Sequence, residues 1–167
     1  MIRILTLSLL LALILSVQSC NQAGRDIIND PFPEAQAEVT EILEEIYESA
    51  QAQDLDQLSS YHLYGPKFTE FKSGKPRADA EKNKQSETEF FTRISDFEYD
   101  LRDLKVSVFG NVAIATFHGH FQATMGEEHL SSQQQSTLVF VKTDDSWKIV
   151  HEHFSPLDTS EQDQSDQ

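Results

Sequence analysis

The chain has 167 residues, with 28 acidic against 13 basic side chains and a formal net charge of −15. This length suits one domain with its own hydrophobic core. The negative charge repels nucleic acid and anionic lipid surfaces, so we expect neither as a partner. The chain contains one cysteine, which excludes a disulfide within it.

The first 20 residues have the three-part pattern of an export signal. A short basic start, Met1–Arg3, precedes an apolar run over 4–17 that is too short for a stable membrane span. The run ends at "SVQSC", which resembles a bacterial lipobox, although a small residue is more usual at the position of Gln18. We predict a signal peptide at 1–19 and a lipid on Cys20. Cleavage without lipidation and an uncleaved anchor are the alternatives.

The resemblance to bacterial lipoproteins implies an exported chain that is anchored in the cell envelope. Asn21 follows the cysteine, and an aspartate there is linked to retention in the inner membrane, so the outer membrane is favoured if the cell has one. Residues 20–33 are interpreted as a tether between membrane and domain. Residues 157–167 are polar and acidic, and we predict a disordered tail there. The domain itself is predicted at 34–156.

Three helices and a short strand are predicted in the first half of the domain. Apolar residues from Val39 to Ala50 repeat at helical spacing and form one continuous stripe. Asp54 is a suitable N-cap for a short second helix. Residues 67–71 are interpreted as a strand, and 79–94 as a third helix with apolar residues near its end.

The apolar spacing then changes to two, which predicts strands. They are predicted at 97–109, 112–125, 129–142 and 147–155. Gly110-Asn111 is a hairpin turn signal between the first two of them. Helices followed by a meander of antiparallel strands predict an α+β domain with helices on one face of the sheet. Since both faces of the sheet are partly apolar, we also expect a homodimer formed through the sheet.

The order of these elements, together with three segments, shows a family resemblance. The segments are "AQAQDLDQL" (50–58), "FGNVAIAT" (109–116) and "TLVFVKTDDSWKIVHEHFS" (137–155). From about Glu34 to Pro156 the chain resembles a SnoaL-like domain of the nuclear transport factor 2 superfamily. That superfamily also contains ketosteroid isomerase, scytalone dehydratase and the association domain of calcium/calmodulin-dependent protein kinase II.

The resemblance implies a strongly curved, cone-shaped sheet of antiparallel or mixed strands, with about three helices closing its wide side. It also implies a small-molecule pocket inside the cone and pairing of two copies through the outer face of the sheet. It implies no particular reaction, because one fold supports many functions.

His151 and His153 are the leading candidates for chemistry. If the last strand alternates regularly, they share a face with Trp147 and Ile149, which are large and apolar and therefore belong to the core. Both histidines are then expected to point into the concave face. Two interpretations stay open. One histidine acts as a hydrogen-bonding group or general base, since imidazole titrates near neutral pH, or both are buried and satisfied by their neighbours.

Aromatic and polar side chains are candidates to line the rest of the pocket, although ordinary core packing is the better explanation of the aromatic ones. The residues predicted to contact a ligand are Tyr47, Tyr64, Phe68, Phe91, Thr137, Trp147, His151 and His153. His118 and His120 form a second pair, but the phase of their strand sets them opposite Phe117 and Phe121, on the outer face. We therefore expect no metal site and no cofactor.

Three functions are compatible with the sequence. The first is a binding or accessory domain for a small apolar molecule, without catalysis. The second is a cofactor-independent isomerase, dehydratase or hydrolase that uses His153 or His151 as its base. The third is a dimeric structural module that uses its sheet face.

Overall fold

The computed structural model describes residues 26–158. The predicted signal peptide (1–19), the lipidation site Cys20, the first part of the tether and most of the tail lie outside these residues. Residues up to Asp30 and those from Pro31 onward form separate compact units. The described part of the first unit is a turn, in which the Asp26 carboxylate accepts hydrogen bonds from the backbone of Ile28 and Asn29.

The second unit contains three helices and five strands in its described part. The helices are α1 (Pro33–Gln51), α2 (Leu55–Ser60) and α3 (Ala80–Arg93), and the strands are β1 (Thr69–Lys72), β2 (Ser95–Phe109), β3 (Val112–Met125), β4 (Glu128–Lys142) and β5 (Trp147–Pro156). The strands form one sheet in the order β1-β5-β4-β3-β2, in which β1 and β5 are parallel and the other pairs are antiparallel. This confirms the predicted α+β class.

Local sequence explains where the helices begin. Pro33 occupies the first turn of α1, where a missing backbone N–H costs nothing. The Asp54 carboxylate accepts a hydrogen bond from the backbone N–H of Gln57, so Asp54 is the N-cap of α2, as predicted. Asp79 caps α3 in the same way through Lys82. Within the described residues, none of the helices has both the length and the apolar character needed to cross a membrane.

The apolar stripe of α1 packs on the inner face of the sheet and forms the core. Its buried members include Val39, Leu43 and Ile46, and the sheet contributes Phe140 and Trp147 among others. The sheet is open, and bulges interrupt β2 at two places. Such bulges bend a strand and increase its twist, which suits the cone fold that the family resemblance implies.

A further bulge in β5 reverses an expectation. Phe140 pairs with Ile149 and Val139 pairs with His151, so Val150 is an extra residue between them. From there on the alternation is inverted, and Glu152 is buried while His153 is exposed. The expectation that His151 and His153 point into the concave face was wrong, because one extra residue transfers all later side chains to the opposite face.

Candidate functional site

A cavity of about 610 Å³ lies between the helices and the inner face of the sheet. This volume is in the range of small-molecule sites. Its wall is mainly apolar and includes the aromatic residues Tyr47, Phe90, Phe91, Phe97, Phe121 and Phe154. The cavity therefore has the size and surface of a site for an apolar molecule.

Stacked rings form one side of the cavity. The ring of Phe121 stacks on those of Tyr47 and Phe97, with centroid distances of 5.5 and 6.2 Å. Phe121 also covers Gly119, since a Cβ atom at position 119 would lie 2.3 Å from its ring. Any side chain at position 119 would clash with the Phe121 ring in this position, so the glycine helps to shape the cavity wall.

A cluster of buried polar side chains forms another part of the site. His62, which follows α2, has its Nε2 atom 3.1 Å from Oε1 of Glu152 on β5. Its Nδ1 atom lies 3.1 Å from the carbonyl oxygen of Leu58, and because a carbonyl only accepts, Nδ1 must bear the proton. Asn83, fully buried on α3, donates from Nδ2 to Oε2 of Glu152 at 2.9 Å. Both oxygens of Glu152 are therefore held.

Tyr64 and Glu87 extend this cluster. The Tyr64 ring stacks on His62, with a centroid distance of 4.9 Å. Its hydroxyl donates to Oδ1 of Asn83 at 2.7 Å and lies 3.3 Å from Oε2 of Glu87, which is itself 4.0 Å from Nε2 of His62. We call His62, Tyr64, Asn83, Glu87 and Glu152 the polar cluster. His62, Glu87 and Glu152 also line the cavity, so a ligand can reach them.

The buried charges shift the protonation equilibria of the polar cluster. Burial alone would lower the pKa of His62, but the nearby carboxylate of Glu152, with help from Glu87, raises this pKa to about 9. Burial raises the pKa of Glu87 to about 7, and repulsion from Glu152 contributes to the rise. The pKa of Tyr64 is also raised, first by burial and then by the same two carboxylates. At neutral pH the cluster therefore contains a protonated imidazole beside a carboxyl group that can gain or lose a proton.

Comparison with known families assigns the chain. Residues 39–159 match the family model described as SnoaL-like domain. The chain belongs to the SnoaL-like domain family. A search of the curated proteins found no match.

Solved structures show the same fold. A protein of the nuclear transport factor 2-like family from Streptomyces avermitilis is similar with a TM-score of 0.67 and 23% identity, over 73% of this chain and 95% of that one. A superfamily protein from Salmonella enterica serovar Typhimurium has a TM-score of 0.67 and 20% identity, over 76% and 94%. The calcium/calmodulin-dependent kinase II hub homology domain of Chlamydomonas reinhardtii has a TM-score of 0.59 and 18% identity, over 74% of this chain and 98% of that one. These matches show that the chain has the fold of these structures.

Two of the residues predicted to contact a ligand, Tyr47 and Phe91, line the cavity of this SnoaL-like domain. Tyr64 belongs to the polar cluster behind its wall. Phe68 and Trp147 are core residues. The remaining ones, Thr137, His151 and His153, lie on the outer face of the sheet, since their neighbours Ser136, Leu138 and Glu152 point inward.

The two leading histidines contact β1 on the outer face. Nδ1 of His151 lies 2.8 Å from the hydroxyl of Thr69, and the ring of Phe71 packs near both imidazoles. His118 and His120 also lie on the outer face of the SnoaL-like domain, as expected, since Phe117 is buried on the inner one.

The sequence interpretation missed most of the polar cluster. Glu152 stands between the two histidines, and regular alternation would place it on the outer face. Asn83 and Glu87 are four residues apart on α3, so a helical projection places them on one face, and this is the signal that could have found them. His62 has no such signal, because its carboxylate partners Glu152 and Glu87 are distant in sequence.

The polar cluster also includes three groups that could hold a cation. Nε2 of His62 and one carboxylate oxygen each of Glu87 and Glu152 lie within 4.8 Å of one another. Imidazole and carboxylate together suit ions such as Zn²⁺ or Mn²⁺. The absence of a metal site in this SnoaL-like domain stays a prediction.

Proposed function

We propose that this SnoaL-like domain binds a small, mainly apolar molecule in its cavity, in a binding or accessory role. The observation that supports this most directly is an apolar cavity of about 610 Å³ whose wall includes His62, Glu87 and Glu152. In small-molecule sites, apolar walls provide the affinity and a few polar groups fix the orientation of the ligand. The cavity and the polar cluster have this division of roles.

Binding of a neutral apolar probe tests this function. We expect N-phenyl-1-naphthylamine to bind the purified full-length chain at one site per chain, with increased fluorescence. Ala123→Trp places a large side chain on the cavity wall and should weaken binding by at least about tenfold, since it fills part of the space. Ala52→Trp changes an exposed alanine and is the matched control. Equal binding by the two variants would contradict a ligand site in this cavity.

Acid–base catalysis is the second candidate function. The position and the pKa of Glu87 favour it. Its carboxyl group lines the cavity, lies beside the Tyr64 hydroxyl and has a pKa of about 7. A base whose pKa is near the working pH is effective in proton transfer. This candidate retains the isomerase or dehydratase chemistry considered from the sequence but assigns the base to Glu87 instead of His151 or His153.

Ring opening of 5-nitrobenzisoxazole tests for a base in the cavity, because this reaction begins with proton abstraction by a carboxylate. We expect the full-length chain to accelerate it and the rate to rise with pH through about 7, as Glu87 loses its proton. Glu87→Gln should reduce the rate by about 100-fold or more. Glu89→Gln, an exposed residue on the same helix, should leave it unchanged. Similar rates for the two variants would exclude Glu87 as the base.

The cellular setting and the oligomer are also proposals. The pattern of 1–20 supports export and anchoring through a lipid on Cys20, which palmitate labelling of wild type and Cys20→Ser would test.

Pairing of two copies is supported by an apolar strip on the outer sheet face. There Phe109, Val112 and Val141 are neighbours on adjacent strands, and the first two are more than one third exposed. Light scattering of the purified chain would detect the dimer.

A further inference from the structure

Two carboxylates stand side by side on the inner face of the sheet. Glu70 on β1 is the pairing partner of Glu152 on β5, and because the two strands are parallel and in register, both side chains point to the same side. Glu70 is 5% exposed and Glu152 is 3% exposed, and both line the cavity. Like charges on neighbouring strands destabilise a sheet unless something compensates them.

The two carboxylates differ in what compensates them. Glu152 has hydrogen bonds from Asn83 and contact with His62. The backbone of Glu70 is fixed by hydrogen bonds to Ala78 in both directions, at 3.0 and 2.9 Å. Its carboxylate, however, has neither a hydrogen bond nor an ion pair with any group in residues 26–158. Its oxygens are not among the fully buried polar atoms without a partner, so they reach the space of the cavity and can accept hydrogen bonds from a ligand there.

The charge of the cavity wall indicates which charge a ligand of this cavity should carry. Three carboxylates, those of Glu70, Glu87 and Glu152, line it, whereas His62 is the one buried cation among the described residues. The lysines on the cavity wall, Lys72, Lys75 and Lys82, are exposed, and their ammonium groups make no ion pair with these carboxylates within 4.0 Å in the described part of the chain. The buried part of the cavity therefore has an excess of negative charge.

The three carboxylates are also close together. One carboxylate oxygen each of Glu87 and Glu152 lies within 4.8 Å of the other, and Glu70 is the pairing partner of Glu152 on the neighbouring strand. A metal ion held by His62, Glu87 and Glu152 would leave Glu70 without a partner, since Glu70 is not a member of that group. An organic cation can reach Glu70 and still place an apolar body against the aromatic wall.

We propose that the ligand of this cavity is an amphiphilic amine, whose cationic nitrogen binds Glu70 beside the polar cluster while its apolar part contacts the stacked aromatic rings. This inference rests on the proposed binding function and names the class of ligand. The nitrogen donates charge-assisted hydrogen bonds to Glu70, and aromatic faces attract a cation as well. A carboxylate on the same apolar body is repelled by Glu70.

Three probes with one apolar body test the inference: 4-phenylbutylamine, 4-phenyl-1-butanol and 4-phenylbutyrate. Calorimetric titration of the purified full-length chain at pH 7.5, with EDTA present to remove metal ions, should show the amine binding at least about tenfold more tightly than the alcohol. The carboxylate should bind most weakly. Glu70→Gln should reduce the affinity for the amine by at least about tenfold and change that for the alcohol by less than about twofold.

The alcohol serves as the internal control, because its binding reports an intact cavity in each variant. Glu127→Gln removes an exposed glutamate in the turn before β4 and should leave all three affinities unchanged. If the three probes bind the wild type equally well, the cavity binds apolar molecules and the preference for a cation is wrong. If none binds, the proposed binding function fails too. Equal loss of amine and alcohol binding in Glu70→Gln would show a structural role for Glu70 and overturn the proposal.

Discussion

Replacing Trp147 by alanine should lower the free energy of unfolding by about 3–5 kcal/mol. The side chain is 2% exposed, and its indole N–H donates to the Glu38 carboxylate on α1 at 2.8 Å. The ammonium group of Lys142 lies over the same ring and also contacts Glu38. Alanine would leave a void where β5 meets α1 and remove these contacts. Urea denaturation measures the loss as a lower midpoint with an unchanged slope.

Two further substitutions identify the source of this effect. Trp147→Phe keeps most of the apolar contact and removes the indole donor, so we expect a clearly smaller loss than for alanine. His153 lies on the same strand but is exposed, so His153→Ala should change the free energy of unfolding by no more than about 0.5 kcal/mol. A loss below about 1 kcal/mol for Trp147→Ala would mean that Trp147 does not anchor the core.

Replacing His62 by alanine should cost a comparable amount, about 3–5 kcal/mol at pH 7. The substitution leaves the Glu152 carboxylate buried without its cationic partner, and the repulsion between Glu152 and Glu87 is then uncompensated. It also removes a ring that stacks on Tyr64 and packs near Phe68. Denaturation of wild type and variant at one pH gives the difference. Little or no loss would show that the ion pair is not formed in solution.

The pH dependence of stability separates the charge of His62 from its packing. The pKa of His62 is about 9 in the folded chain against an ordinary 6.5, so its stabilising contribution is complete below pH 6.5 and is lost as pH rises through 9. Glu87 acts in the same direction, since its pKa rises from 4.5 to about 7 on folding. Stability should therefore fall from pH 5 to pH 9, by at most about 1.4 kcal/mol per pH unit for each proton linked.

Variants of two histidines test this sign. The difference between wild type and His62→Ala should become smaller above pH 9, where the wild-type imidazole is neutral as well. His153→Gln should keep the wild-type dependence, because its side chain is exposed. A wild-type stability that is constant or rises between pH 7 and 9 would contradict the protonated state of His62.

The elements of this fold are predictable because their signals are local. The apolar stripe of α1, the caps Asp54 and Asp79, and the period-two strands are each determined within about ten residues. The α+β class and the SnoaL-like family follow from the order of these elements and the three matching segments, and the structure and the family match confirm both. The cavity wall was only partly predicted, since Tyr47 and Phe91 line it and Trp147 does not.

The polar cluster was not predictable from the same signals. His62 and Glu152 are 90 residues apart, and Asn83 and Glu152 are 69 apart, so no sequence window contains them together. The bulge at Val150 has no turn residue to indicate it. Its position depends on how β5 pairs with β4 and β1, which is a property of the assembled sheet. Regular alternation predicts that His151 and His153 face the cavity, whereas the bulge places Glu152 there instead.

The single extra residue Val150 divides β5 into two parts with different tasks. Trp147 and Ile149, before it, hold the strand to the core, whereas Glu152 and Phe154, after it, face the cavity. If Val150 paired within the ladder instead of bulging, the alternation would be regular, with both imidazoles pointing inward and Glu152 outward. The bulge at this one residue therefore decides whether the end of the strand presents a carboxylate or an imidazole to the cavity, while the part of the strand before it keeps the same contacts.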